Sequence, residues 1–383
     1  MTLLSIVGED ISRIIPVLYA YKERITHHVL LCDDDPSNYQ RAKNLQKGMQ
    51  RFSAENSLGW FTQVVSTDED NPTQIEVVAR KQFEYSGELW LNVTDGYPAM
   101  SILLSDLVRK EGGKVLSYDH FDNDLHLIEA DGTMNTKKLD SKIDLLSYIT
   151  LLNYRVMQET SKEDLLPRKK DIFILHEKES LYQKTRAAIL DEHFGHNYNF
   201  DFSFSDDILA SLRSLDILDR NNHLIPSKQK SLQGDILEEY IFWLCEALNP
   251  DDIALGVKID FDDEAAEPLD YRRVMNEFDI LLTYNNRIYT IECKFSKELE
   301  GLEFVYKYDA IIDYFGKASK AIIANISPKI KENYIGMKTS NNFRHSTLRR
   351  ARMSGISVYH ESQINVSKFQ KLVKTFFNMK ALS

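Results

Sequence analysis

Over the first ~135 residues, short apolar runs alternate with stretches whose apolar positions recur every three or four residues. The runs Leu3–Val7, His28–Cys32, Thr62–Val65, Leu89–Val93 and Lys114–Tyr118 predict strands. Ile11–Tyr21, Ser37–Arg51, Thr73–Phe83 and Ala99–Glu111 predict the helices between them. Alternation of this kind specifies a parallel, doubly wound α/β sheet, whose ligands sit beyond the carboxyl ends of the strands. A hairpin over Leu125–Met134 follows. Helical periodicity then takes over at Ser141–Met157, Leu181–His193 and Asp206–Leu218. The chain divides accordingly into an α/β unit (1–139), a helical connector (140–230) and a second α/β unit (231–383). Within the connector, Ser205–Leu215, the turn at Arg220-Asn221-Asn222 and Leu224-Ile225 are compatible with a winged helix-turn-helix, although helices so poor in bases suit packing better.

The last unit carries the most informative pattern. Asn276–Phe295 holds two alternating runs around Asn285-Asn286, a pair that tolerates the positive φ of a tight hairpin turn. A symmetric turn there sets Tyr284 opposite Arg287, Leu282 opposite Tyr289 and Asp279 opposite Glu292. The two-residue period places Glu277, Asp279, Glu292 and Lys294 on one face, and Phe278, Ile280, Tyr289, Ile291, Cys293 and Phe295 on the other. Ala321–Ala324 and Ile356–Tyr359 predict further strands, with helices at Phe304–Tyr314, Asn342–Met353 and Ser367–Asn378.

Two carboxylates facing each other across a ladder repel. At about 5 Å and an effective dielectric of about 20 the penalty is roughly 3 kcal/mol. A divalent cation offsets it directly, since Mg²⁺ is commonly held by one or two carboxylates with water and phosphate oxygens. An ordinary solvated face would instead pair Lys294 with Glu277 and, diagonally, Asp279, which leaves Glu292 without compensation.

Composition narrows the field. With 43% apolar and 27% charged residues, the 383-residue chain reads as an ordinary globular protein of two or three domains. Cys32, Cys245 and Cys293 are scattered without metal-ligand spacing, which suggests reduced thiols and a cytoplasmic setting. The N-terminal Met1–Val7 has no basic region and is expected to be a strand rather than a signal peptide. A formal net charge of −11 argues against non-specific coating of nucleic acid. Basic residues nevertheless concentrate between Gly316 and Met353, where Lys317, Lys320, Lys329, Lys331, Lys338, Arg344, Arg349, Arg350 and Arg352 meet one acid, Glu332.

Asp279, followed on the next strand by Glu292-Cys293-Lys294, resembles the core of the PD-(D/E)xK nuclease superfamily. The resemblance implies that Asp279 and Glu292, with the Cys293 carbonyl, hold Mg²⁺ or Mn²⁺, and that Lys294 steadies the attacking water or the scissile phosphate. A preceding helix usually supplies another acid in that family, and Gly234–Tyr240 matches it. Glu238 lies about 90° from the apolar stripe Leu237, Ile241, Leu244 and Leu248, whereas Glu239 points almost opposite. Glu238 is the better placed and Glu239 the alternative. Lys317, Arg349, Arg350 and Arg352 are the expected grip on a nucleic-acid backbone.

The N-terminal unit lacks a Gly-x-Gly-x-x-Gly run, so a dinucleotide cofactor is not expected. Two of its strand-end loops stand out, Gly8-Glu9-Asp10 and Asn92–Pro98, and the later one resembles the ligand loop of the CRISPR-associated Rossmann-fold (CARF) domain. That family commonly carries Thr-Gly-Gly-Thr-Lys in the later loop and binds a cyclic oligoadenylate across a dimer interface. Here Thr94 and Gly96 remain, Asp95 replaces a glycine, and Tyr97-Pro98 replaces Thr-Lys. The resemblance implies a ligand site at Gly8, Glu9, Asp10, Thr94, Asp95, Gly96 and Tyr97. The acids there, with Asp33, Asp34 and Asp35, predict weak binding of cyclic oligoadenylates or a less anionic signal.

Taken together, the chain resembles CARF-linked PD-(D/E)xK nucleases that accompany type III CRISPR systems. The expectation is a homodimeric, metal-binding hydrolase: an endonuclease of antiviral defence regulated by a cyclic oligoadenylate. The alternative is a non-catalytic ligand sensor that binds nucleic acid through a degenerate nuclease fold. Retention of Asp279, Glu292 and Lys294 together favours the enzyme.

Overall fold

The computed structural model describes residues 1–83, 87–177, 204–228, 231–261, 275–295, 302–317, 319–326, 339–340, 343–360 and 364–376. The expected helix Leu181–His193 and the bases Lys329, Lys331 and Lys338 lie outside them. The described residues form a mixed α/β structure with a seven-stranded sheet, a six-stranded sheet and a two-residue strand pair.

The first sheet contains β1 (Thr2–Ile6), β2 (His27–Cys32), β3 (Phe61–Ser66), β4 (Leu89–Asn92), β5 (Lys114–Asp119), β6 (Asp124–Ile128) and β7 (Met134–Lys138), in the order β3-β2-β1-β4-β5-β6-β7. Its first five strands are parallel, and β6 and β7 extend it as an antiparallel hairpin. Every residue of β1 is buried, as a central parallel strand covered on both faces requires. Strand order reverses between β1 and β4, and a crevice at that switch point is where an open α/β sheet takes its ligand. The loops Gly8–Asp10 and Val93–Tyr97 leave those two strands.

Three predicted helices change where local chemistry interrupts them. Ile11–Tyr21 divides into a 3₁₀ turn, Ile11–Arg13, and a helix, Ile15–Ala20. Pro16 has no N–H and its ring clashes with the carbonyl four residues back, so the helix restarts there. Ser141–Met157 shortens to Leu145–Leu151, capped by the Asp144 carboxylate. Asn153 then adopts φ +69°, and Arg155–Thr160 forms β8 rather than more helix. This strand, inside the expected helical connector, pairs with β9 (Asp252–Asp260) at the edge of the second sheet. Asp206–Leu218 ends at Ser214, and its buried Ile208, Leu209 and Leu212 pack into the same core as Leu237 and Ile241.

The second sheet runs β15-β12-β11-β10-β9-β8, where β10 is Met275–Tyr284, β11 Arg287–Phe295, β12 Lys320–Ile326 and β15 Ile356–His360. The pair Thr339–Ser340 and Phe343–Arg344 supplies β13 and β14. At the hairpin turn Asn285 and Asn286 take φ +50° and +57°, and the register is the one expected, with Tyr284 opposite Arg287 and Leu282 opposite Tyr289. The turn docks on the first sheet. Asn286 bonds Asn123 through its Nδ2 (3.0 Å) and accepts the Ile143 amide (3.1 Å). One apolar cluster runs from Leu3, Leu30 and Leu116 through Ile149 to Val257, Leu281 and Ile288, so the two sheets share a core.

Candidate functional site

The β10–β11 hairpin closes against the first sheet and opens at its far end, where the candidate residues stand. Ile280, Tyr289, Ile291 and Cys293 lie in the core capped by the Ile236–Glu246 helix, as the alternation predicts. Phe278 does not: it joins Leu281 in the opposite core. The period breaks at Asp279, opposite which Gly256 on β9 takes φ +62°. The β10–β11 ladder ends at the Ile280–Ile291 pair, so Asp279 does not face Glu292 through it. Instead the Asp279 side chain reaches across, and Oδ2 accepts the Cys293 amide at 2.7 Å. A side chain has replaced the next backbone rung.

That insertion gathers acids. Burial first, then the charges of Glu292 and Glu238, push the Asp279 carboxyl up to about 9 despite the amide bond. Burial, then Asp235 and Glu292, raise Glu238 to about 7. Glu292 is itself buried (5% exposed), with Lys294 Nζ 2.6 Å from Oε1. Lys294 thus pairs with Glu292, while Glu277 turns towards Lys258 (3.9 Å). The structure therefore brings Glu238, Asp279, Glu292 and Lys294 into one electrostatic cluster. Glu239 is elsewhere: 1% exposed, it is paired with Arg168 Nη2 at 3.0 Å. Gly234 clears room for the helix acid, since a Cβ there would meet Glu238 Oε1 at 3.3 Å.

A residue not nominated by sequence completes the cluster. Tyr308, on the Leu302–Asp313 helix, is 3% exposed, and burial first, then the Glu292 charge, raises its phenol. Its place on the apolar stripe with Val305 and Ile312 reads in sequence as packing alone.

Asp279 and Glu292, beside Cys293, are the residues whose donor chemistry would fit a hard divalent cation. Among the described residues no group of three or more His, Cys, Asp or Glu side chains is placed to hold a metal ion.

The basic candidates separate. Arg349 and Arg352 are exposed on the His345–Met353 helix. Arg350 turns inwards, 3.3 Å from Asp309 and over the Tyr306 ring. Lys317 meets the N-terminal loop instead: its Nζ is 2.5 Å from Glu9 Oε2, and its amide donates to Asp10 Oδ2 at 3.1 Å.

At the first sheet's switch point, Asp95 ties both loops together. Its carboxylate accepts the Gly8 amide (2.8 Å) and the Asp10 amide (3.1 Å to each oxygen), and burial raises it to about 6. The chain's own carboxylate takes the N–H groups that an anionic ligand would use. A Cβ at Gly8 would strike the Asp95 carbonyl oxygen at 2.1 Å, so this approach requires glycine. Thr94 accepts the Tyr118 amide (3.0 Å), Gly96 donates to the Val93 carbonyl (3.1 Å), and the Tyr97 hydroxyl meets Asn38 Nδ2 (2.5 Å). Beyond them stands an acidic rim, where burial and then Asp33, Asp70 and Asp34 raise the Glu69 carboxyl. A separate cavity of 270 Å³, lined by Glu159, Lys162, Glu246 and Asp251 among others, lies away from both sites. Lysines already pair with its Glu246 and Asp251.

No protein-family model matches the chain, and no curated protein sequence does. Solved structures do match. Can2 from Sulfobacillus thermosulfidooxidans, in complex with cyclic tetra-adenylate, aligns at 13% identity and TM-score 0.69, over 98% of this chain and 99% of that one. Protein VC1899 from Vibrio cholerae aligns at 15% identity and TM-score 0.68, over 98% of each chain. At such identities the likeness establishes a shared fold, from end to end. Among the described residues no helix is long and apolar enough to cross a membrane.

Proposed function

We propose that the chain is a metal-dependent endonuclease of the PD-(D/E)xK kind, governed by its N-terminal CARF-like sheet in type III CRISPR antiviral defence. The observation that carries this reading is the gathering of half-buried Glu238 and Asp279 with buried Glu292 around one lysine, so that the carboxylates raise one another. Asp279 and Glu292, with the Cys293 carbonyl, would hold Mg²⁺ or Mn²⁺, which when bound supplies charge stabilisation at the scissile phosphate and an activated water.

The remaining roles belong to the protein. Lys294, held beside Glu292, places a positive charge where the phosphate oxygens gain negative charge in the transition state. Glu238, whose carboxyl titrates near neutrality, is suited to take a proton from the attacking water or to orient it. Arg349 and Arg352 are free to engage backbone phosphates without reading sequence, while Arg350 fixes their helix against Asp309. The sensing role is supported by a fold shared with Can2, whose structure contains cyclic tetra-adenylate. The Asp95 carboxylate and the acidic rim weaken such a ligand's hold, so we expect low affinity for it or preference for a less anionic signal. Sensing across a homodimer axis belongs to the same proposal.

The test is cleavage of DNA and RNA, single- and double-stranded, by the full chain in Mn²⁺, with and without cyclic tetra-adenylate. Metal-dependent cleavage that disappears in Asp279→Asn supports the reading. Wild-type cleavage by that variant overturns the site.

A further inference from the structure

The joint between the two sheets buries a cation that its surroundings do not neutralise. Arg287 opens β11 and reaches the turn between β5 and β6. It is 2% exposed. Among the described residues its Nε and Nη1 have no hydrogen-bond partner, and Nη2 donates only to the Phe121 carbonyl, at 3.5 Å. The guanidinium carbon lies 5.8 Å from the Phe121 ring centre and 5.7 Å from that of Tyr289. Aromatic faces attract a cation, yet they return only part of the hydration it gives up on burial. Arginine cannot shed its charge as a buried lysine or histidine does.

Two acids of this joint are already engaged. Asp119 Oδ1 accepts the Phe121 amide at 2.8 Å, and Asp251 pairs with Lys142 at 3.3 Å. A second donor stands beside the first. His120 packs on the same Phe121 ring, 4.2 Å between centres, and its buried Nδ1 has no hydrogen-bond partner among the described residues. Burial, then the charges of Arg13 and Arg287, hold His120 below its ordinary value, with Asp10 and Asp119 opposing. Phe121 itself is 58% exposed, so the guanidinium lies one side chain below the surface.

We infer that Arg287 and His120 form a binding site for a small oxyanion, a phosphate group or its like, at the joint of the two sheets. An oxyanion supplies what the joint lacks, a negative charge and lone pairs for the unmatched donors. Burial restricts the occupant to a small molecule, because a nucleic-acid backbone does not reach a guanidinium 2% exposed. The site lies at the opposite end of β11 from Glu292 and Lys294, and it does not depend on the chemistry proposed for them.

The test titrates inorganic phosphate into the full chain, followed by thermal melting and calorimetry, with chloride holding the ionic strength constant. Wild type, Arg287→Met, Arg287→Lys and His120→Ala are compared, and a single-stranded oligonucleotide serves as competitor. The wild type should show a saturable rise in Tm. Arg287→Met should bind phosphate about 10–100-fold more weakly, as loss of a charge-assisted hydrogen bond implies. Without phosphate it should melt no lower than the wild type, because an apolar chain of similar length replaces an unpaired buried charge. Arg287→Lys keeps the charge without the planar donors and should fall between the two. His120→Ala should weaken binding by about 2–10-fold. Absence of a saturable rise in the wild type overturns the site. A wild-type phosphate midpoint in Arg287→Met, with a lowered Tm, assigns Arg287 to docking the hairpin alone and overturns it equally. Should Arg287→Met not fold, Arg287→Lys decides: an unchanged midpoint there overturns the role of the guanidinium. An unchanged midpoint in His120→Ala removes His120 from the site. Displacement of phosphate by the oligonucleotide overturns the assignment to a small molecule.

Discussion

Two aspartates, Asp95 buried just beyond β4 and Asp279 half-buried within β10, differ in their surroundings in one respect. Asp95 is met by backbone amides: Gly8 and Asp10 donate to it, and it is pushed only to about 6. Asp279 is met by one amide and two further carboxylates, and it is pushed to about 9. The first is a satisfied structural clasp. The second is a carboxyl whose neighbours disfavour its charged form, a cost that a bound cation would relieve. Burial alone therefore does not mark a functional acid; the sign of what faces it does.

The largest effect should come from removing the anion that the cation needs. Asp279→Asn keeps an oxygen for the Cys293 amide, so the fold should survive, while kcat/KM in Mn²⁺ should fall about 10³-fold or more, equivalent to several kcal/mol. Lys294→Met should lower kcat by about 10²–10³-fold, as loss of one preorganised donor does, with binding of nucleic acid little changed. At the other aspartate the effect should fall on stability. Asp95→Ala strands buried amides and should cost about 1–3 kcal/mol in denaturant unfolding, without altering basal cleavage chemistry. Equal catalytic and stability losses at both sites would erase the distinction between them.

The pH dependence sharpens the same contrast. Both carboxyls titrate higher in the folded chain than their ordinary 3.8, so between the two values the native state binds more protons than the unfolded one. What these two carboxyls contribute to the stability of the metal-free protein is therefore greatest at low pH and falls as pH rises. Asp95 contributes its fall between about 4 and 6, and Asp279 continues it towards 9. In melting curves, Asp279→Asn should flatten the slope across the whole range from about 4 to 9, leaving below about pH 6 the fall that Asp95 contributes. Smallest of all, Arg349→Ala or Arg352→Ala should each reduce the salt dependence of nucleic-acid binding by about one unit of slope.

Much of this was legible in the sequence, for physical reasons. Asn285-Asn286 fixed the hairpin register because both residues accept positive φ, and that register named Asp279, Glu292 and Lys294. Helical periodicity separated Glu238 from Glu239, and the Arg168 pair explains where the latter went. The rung replaced by Asp279 was not legible from β10 itself. Its signal was Gly256 on the neighbouring strand, since an interior glycine often marks a break in a ladder. Tyr308 was hidden because a tyrosine at stripe spacing looks like core until its hydroxyl is placed. Lys317 misled for the opposite reason: a run of bases reads as one patch, yet the fold turns Lys317 towards Glu9 and Arg350 towards Asp309.

The central claim is that the cluster is built for a divalent cation, and calorimetric titration of Mn²⁺ into the metal-free protein tests it most directly. Burial and the neighbouring carboxylates hold the Asp279 carboxyl up, so binding of a cation is expected to displace a proton. Measured in buffers of different ionisation enthalpy, the wild type should bind Mn²⁺ and release about one proton, and Asp279→Asn should bind far more weakly without that release. Absence of Mn²⁺ binding by the folded wild type, or unchanged affinity and proton release in Asp279→Asn, would contradict the account.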